Sequence, residues 1–201
     1  MTQPAGAPGM AATDEVLASG RHACFIYCDD EDRRSTIGSF LAAGLAAGER
    51  VVYMTDGTPP EEVRAWVAAA GGDTGAAWAD AVNVVPAEAV YHPAGIFEPS
   101  AAIARLEAAN REAVQAGCPG RRSTAEMTWA LRGMPGADRL IEYETQVNDI
   151  VARYPVKPVC QYDARRFDGA TILKILQVHP MVVVRGQVVH NPYYRVARPG
   201  A

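Results

Sequence analysis

The chain has 201 residues, 49% hydrophobic and 21% charged, a length and balance that fit one globular domain with a real core. Nineteen basic residues against 23 acidic ones leave a formal charge of −4, which argues against a surface built to grip nucleic acid phosphates. No apolar run approaches the roughly 20 residues that span a bilayer, and no basic stretch followed by an apolar core marks a secretory signal.

Met1–Ala12 is rich in Gly, Pro and Ala without periodicity and reads as a disordered tail. Asp14–Ser19 has the makings of a short helix, so residues 1–19 are expected to be a flexible leader. His22–Cys28 is a continuous apolar run, the pattern of a strand covered on both faces. Asp29, Asp30, Glu31 and Asp32 then open a helix, where acids suit the positive end of the helix dipole and supply capping oxygens. Ile37, Phe40, Leu41 and Leu45 give that helix an inward stripe, and Gly48 stops it.

Arg50–Thr55 is a second strand and Glu61–Ala70 a second helix, entered through Pro59-Pro60 and ended by Gly71-Gly72. Val82–Val85 is a third strand. Pro86–Pro99, with His92 and Phe97, is long for a connection and is a candidate lid or a variable surface loop. Ser100–Ala116 is a helix, Arg122–Met127 a strand, Gly136–Arg153 a helix ended by Pro155, and Val156–Asp163 a strand. Gly169–Gln177 is the last helix. Met181–Val184 and Gln187–His190 flank Arg185-Gly186 as a hairpin.

Strands alternating with helices predict an α/β fold, a mostly parallel sheet with helices on both faces and an antiparallel hairpin at the edge. One domain is expected over residues 20–195, with a disordered tail at 196–201. Ligands of such sheets bind beyond the carboxyl ends of the strands. That rule brings Tyr27, Asp29, Glu126, Met127, Trp129, Arg132, Tyr162 and Asp163 to one rim, a mix of aromatic, soft and polar groups typical of a small-molecule pocket.

Complete catalytic motifs are missing. The first strand-to-helix junction has four acids and no glycine, so the phosphate-binding GxxxxGK[ST] loop is not there. There is no GxSxG and no HExxH. His22, His92, His179 and His190 lack ligand spacing and read as satisfied core or rim histidines; no metal, cofactor or catalytic residue is assigned. Cys24, Cys28, Cys118 and Cys160 fit no zinc pattern and are expected to be buried free thiols, a redox or metal role for Cys28 with Cys160 being the alternative. Glu126 and Asp163 are either an acid–base pair or structural partners of backbone amides and of arginines such as Arg132 and Arg165. The doublets Arg121-Arg122 and Arg165-Arg166 read as exposed.

Six segments in order resemble one family: His22–Tyr27 (HACFIY), Glu126–Trp129 (EMTW), Tyr143-Glu144 with Asn148, Cys160–Asp163 (CQYD), His179-Pro180 and Asn191–Tyr194 (NPYY). They resemble the MEDS domain, the sensory domain of methanogen and methylotroph regulators of the DcmR type. The resemblance implies a RecA/KaiC-like fold without the Walker A loop and a sensor of small hydrocarbon derivatives. Relatives are often fused to a DNA-binding, histidine kinase or anti-sigma module; this chain departs from that, since 201 residues leave no room for a second output domain, so its output is expected to pass through a separate partner, such as a kinase, an anti-sigma factor or a transcription factor, or through self-association. The resulting expectation is a cytoplasmic, non-enzymatic domain without direct nucleic acid or membrane contacts that binds a small, largely apolar organic ligand and self-associates or engages that partner. The alternatives are a degenerate nucleotide-binding domain with weak hydrolysis and a ligand-free protein-interaction module.

Overall fold

The computed structural model describes residues 21–71 and 79–195. The expected tails at 1–19 and 196–201, and the short helix at Asp14–Ser19, lie outside the described residues. The elements run β1 (Ala23–Tyr27), α1 (Asp30–Ala46), β2 (Arg50–Thr55), α2 (Pro60–Ala70), β3 (Asn83–Pro86), α3 (Ala87–Tyr91), α4 (Pro99–Gln115) and β4 (Arg121–Glu126). Two 3-10 turns, Thr128–Arg132 and Ala137–Arg139, lead to α5 (Leu140–Arg153), β5 (Val156–Asp163), α6 (Gly169–Val178), β6 (Met181–Val184) and β7 (Gln187–His190).

The seven strands form one sheet in the order β3-β2-β4-β5-β1-β6-β7. Every pairing is parallel except β6 with β7. The hairpin therefore adds one antiparallel strand at an edge, as the sequence predicts. Its turn is Arg185-Gly186, with φ of 49° and 71°, the left-handed pair that a two-residue type I′ turn needs.

Helices cover both faces because the strand residues alternate. On β2, Val51 and Tyr53 pack with Ile37, Phe40 and Leu41 of α1 and Val63, Trp66 and Val67 of α2. Val52 and Met54 point the other way, into a second core with Leu106 of α4, Tyr143, Val147 and Ile150 of α5 and Ile175 of α6. The same parity puts Tyr27 in the first core and Cys24, Cys160 and Tyr162 in the second.

Three expectations change. Arg121 and Arg122 are not surface arginines: they are 6% and 0% exposed. β4 lies between β2 and β5, so both faces of this strand are covered and neighbouring residues are buried on opposite sides. Segment 86–99 is not an open loop. It contains α3, and Tyr91 and Phe97 are buried. Phe97 donates its backbone N–H to the Pro135 carbonyl at 2.9 Å, and a Cβ on Gly136 would stand 2.0 Å from the Phe97 oxygen. That contact and the φ of 87° at Gly136 explain why the expected helix from Gly136 begins as a 3-10 turn and turns α-helical only at Leu140. Finally, Cys24 and Cys160 are buried free thiols, but Cys28 is exposed and Cys118 half-buried; Cys28 lies one residue past the end of β1, where cover from both helix layers stops.

Candidate functional site

The rim beyond the strands is built largely of internally satisfied groups. Asp29 is the N-cap of α1, its carboxylate accepting from the Asp32 N–H at 2.8 Å. Glu126, at the end of β4, accepts from the Tyr53 hydroxyl at 2.6 Å and from the backbone N–H groups of Asp56 and Thr58 at 2.9 and 3.4 Å. Its cation is Arg33 of α1, at 2.8 Å. Burial raises the Glu126 carboxyl, but the Arg33 charge and these hydrogen bonds outweigh it and hold the group below its ordinary value. Arg33 also donates to Gln161 at 2.8 Å and covers the Tyr27 ring at 5.0 Å. Arg132 pairs with Asp56, not Glu126, at 2.9 Å. Asp163 binds Arg165 at 2.8 Å, and Arg165 continues to Asp30 at 2.7 Å.

The aromatic members of the expected site are elsewhere. Met127, Trp129 and Tyr162 are each 0% exposed and belong to the core under α4 and α5. Trp129 stacks on Tyr91 at 4.8 Å and meets Phe97 at 4.7 Å, so segment 86–99 is packed onto it. The structure thus joins Tyr27, Glu126, Arg132 and Asp163 through arginine-linked networks, leaves Asp29 as a helix cap, and places Met127, Trp129 and Tyr162 in the core of the other sheet face.

A cavity of about 260 Å³ runs along the α4 face of the sheet. Its walls are mainly apolar, with Val52 and Met54 from β2, Val85 from β3, Leu106 from α4 and Val147 from α5. None of the eight expected rim residues lines it. Arg121 is in the lining, with Arg50, Tyr91, Arg105, Glu112 and Tyr143. Arg121 reaches one hydrogen-bond partner, Asn110 Oδ1, at a long 3.5 Å. Among the described residues no carboxylate pairs with it; the groups whose charges act on it are Tyr143, Tyr91 and Arg50. Burial pulls its pKa down, because desolvation disfavours the charged form. Asn110 Nδ2 beside it is buried without a partner.

A second polar cluster lies deeper on the same face. His22 precedes β1, Cys160 sits in β5, Glu144 projects from α5 and His179 caps α6. His22 Nε2 is 3.2 Å from Cys160 Sγ and 3.2 Å from Glu144 Oε2. His179 Nε2 is 3.4 Å from the same oxygen, and Cys160 Sγ is 3.6 Å from it. Tyr162 donates its hydroxyl to Glu144 Oε1 at 2.5 Å. Burial pushes the Glu144 carboxyl up, and the two imidazoles beside it outweigh that and hold it well below the carboxylate range. Burial, and then the charge of His179, bring His22 down to about 4. The four donor atoms lie within 4.8 Å of one another, a set able to hold a metal ion. Sequence reasoning missed this cluster because its members come from four elements; the period-2 alternation that puts His22, Cys160 and Tyr162 on one sheet face was the available signal.

Comparison with known proteins places these features. No curated protein matches the chain. One family model matches residues 21–180, from the residue before His22 to the residue after His179, and so includes both the cavity and the buried cluster. The chain belongs to the MEDS family, the methanogen/methylotroph, DcmR sensory domain.

Proposed function

We propose that this sensory domain binds a small, largely apolar organic molecule with one anionic end, a short carboxylic acid being the simplest case, in the sheet-face cavity. The single observation that carries the reading is Arg121, a buried guanidinium with no carboxylate partner among the described residues, in the lining of a mainly apolar cavity. Charged side chains are almost never fully buried unless paired, because an isolated charge away from water is costly. A ligand carboxylate supplies the missing charge and can take a guanidinium in two parallel hydrogen bonds. At about 260 Å³ the cavity falls below the roughly 300–1,000 Å³ of drug-sized sites, which favours a small ligand.

Signal output follows from where the ligand touches. Tyr91 of α3 lines the cavity, and Arg105 of α4 ties α3 down by donating to the Val90 and Tyr91 carbonyls at 2.7 and 3.2 Å. A ligand that favours one arrangement of α3 against α4 changes the outer surface, which is all that a switch requires. A separate regulatory protein in the cytoplasm, whether kinase, anti-sigma factor or transcription factor, reads that surface. We take the domain to be non-enzymatic, with Glu126 and Asp163 engaged by Arg33 and Arg165 as structural anchors. No helix among the described residues is long and apolar enough to cross a membrane.

The test is a thermal-shift series of acids, amides and alcohols of matched carbon skeleton. Acids should stabilise the wild type more than their amides and alcohols, and Arg121→Gln should remove that preference. Equal shifts in both proteins, or no shift with any acid, would refute the reading.

A further inference from the structure

We propose that His22, Glu144, Cys160 and His179 bind one divalent first-row transition metal ion, zinc or a chemical neighbour, in a closed four-coordinate site. This inference is independent of what fills the cavity.

The spacing comes first. Metal–nitrogen and metal–oxygen bonds of about 2.0–2.1 Å and a metal–thiolate bond of about 2.3 Å give a tetrahedron with edges of roughly 3.3–3.6 Å. The observed donor-to-donor distances are 3.2 Å for His22–Glu144, 3.2 Å for His22–Cys160, 3.4 Å for His179–Glu144 and 3.6 Å for Cys160–Glu144. All four donors remain within 4.8 Å of one another. Nitrogen, carboxylate oxygen and thiolate together are a donor set that zinc accepts.

The orientation of the rings adds to the spacing. His179 Nδ1 lies 2.7 Å from the Ile175 carbonyl. A carbonyl only accepts, so Nδ1 carries a proton, and it is Nε2 that faces the Glu144 oxygen, at 3.4 Å. Nε2 makes no hydrogen bond. On the other ring, His22 Nε2 points into the cluster, 3.2 Å from both Cys160 Sγ and Glu144 Oε2. Two imidazole nitrogens, a carboxylate oxygen and a sulfur thus converge on one buried point, where a cation can take all four as ligands. With Cys160 as thiolate and Glu144 as carboxylate, a divalent ion makes the buried centre neutral, which removes the cost of burying unpaired charge.

The outer contacts fit the same assignment. Tyr162 occupies Oε1 of Glu144, which leaves Oε2 as a single ligand atom. Ile175 and Tyr162 thus orient two of the four ligands, the role that outer hydrogen bonds play in metal sites. His22, Glu144 and His179 are 0% exposed and Cys160, which also lines the cavity, 5%, and four protein ligands fill a tetrahedral shell. Such a closed site is structural rather than catalytic. Its ligands come from the lead-in to β1, from β5, from α5 and from the end of α6, so metal binding is coupled to folding.

The experiment uses the full chain, refolded with zinc or cobalt and freed of loose metal by gel filtration. Elemental analysis should find one ion per chain in the wild type and a loss of bound metal in His179→Gln. The cobalt form should show the intense visible bands of tetrahedral cobalt and a thiolate-to-cobalt charge-transfer band that Cys160→Ala removes. Tyr162→Phe, which leaves all four ligands in place, should weaken affinity in a chelator competition by about 10–100-fold. Folded wild type with no more metal than His179→Gln, or a cobalt spectrum that Cys160→Ala leaves unchanged, would overturn the proposal and would assign the cluster to an ion pair between Glu144 and a protonated His179.

Discussion

Arg121 meets Asn110 Oδ1 at 3.5 Å and, among the described residues, pairs with no carboxylate. Its neighbour in sequence, Arg122, lies on the opposite face of β4 and is paired with Glu49 at 2.6 Å. Two adjacent buried arginines on one central strand thus have opposite status, one neutralised within the chain and one not. Without a ligand, Arg121 is a cost to the fold. Arg121→Met removes the charge while keeping an apolar stem, so the ligand-free protein should be as stable or more stable, by on the order of 1 kcal/mol. Chemical denaturation of both proteins without added acid measures this. A loss of several kcal/mol would mean that the guanidinium has a strong partner of the protein's own.

Trp129 behaves as core rather than as ligand wall. It is fully buried and packed by Tyr91, Phe97 and His92. Trp129→Ala should cost about 3–5 kcal/mol, read from the shift in urea midpoint. The variant should still prefer acids over alcohols in the thermal-shift series, since Arg121 and the cavity walls are intact.

Gly136 holds segment 86–99 in place. Alanine there meets the Phe97 carbonyl and must adopt a left-handed φ, so Gly136→Ala should destabilise by more than about 1 kcal/mol. Hydrogen exchange should quicken at the α3 amides and Phe97 more than at β5. Uniform quickening throughout the chain would show that the segment does not move as a unit.

Glu126 sets an acid limit. Its folded carboxyl is held below the ordinary 4.5, so it binds fewer protons folded than unfolded near that pH. Its contribution is fully present above about 4.5 and is lost as pH falls through the depressed folded value. Stability measured from neutral pH downward should decline below that point, and Glu126→Gln should flatten this part of the curve while lowering stability at neutral pH. An unchanged slope would place the acid sensitivity elsewhere.

How far the sequence reaches is visible in these residues. The strand order needed coordinates, but the alternation of strands and helices, the capping role of Asp29 and the Arg185-Gly186 turn were legible, because each rests on local chemistry. The burial of Arg121 and Arg122 was not, because an arginine doublet reads as surface until its strand is known to be central. The His22–Glu144–Cys160–His179 cluster was hidden for a related reason: metal motifs are recognised by spacing along one element, and these four donors share no element. The rim argument placed Trp129 and Tyr162 near the right end of the sheet without telling which face they enter. That face is decided by the short turn after β4 and by the parity of β5.

The most direct measurement is nuclear magnetic resonance of the arginine Nε–H groups, with the Arg121 signal assigned by its absence in Arg121→Gln, during titration with the acid that gives the largest thermal shift. The account predicts that the Arg121 Nε–H signal moves and saturates together with the Leu106 and Val147 methyl signals, and that the matched alcohol moves it far less. A titration in which the acid perturbs Arg33 or Arg165 while Arg121 stays fixed would contradict it.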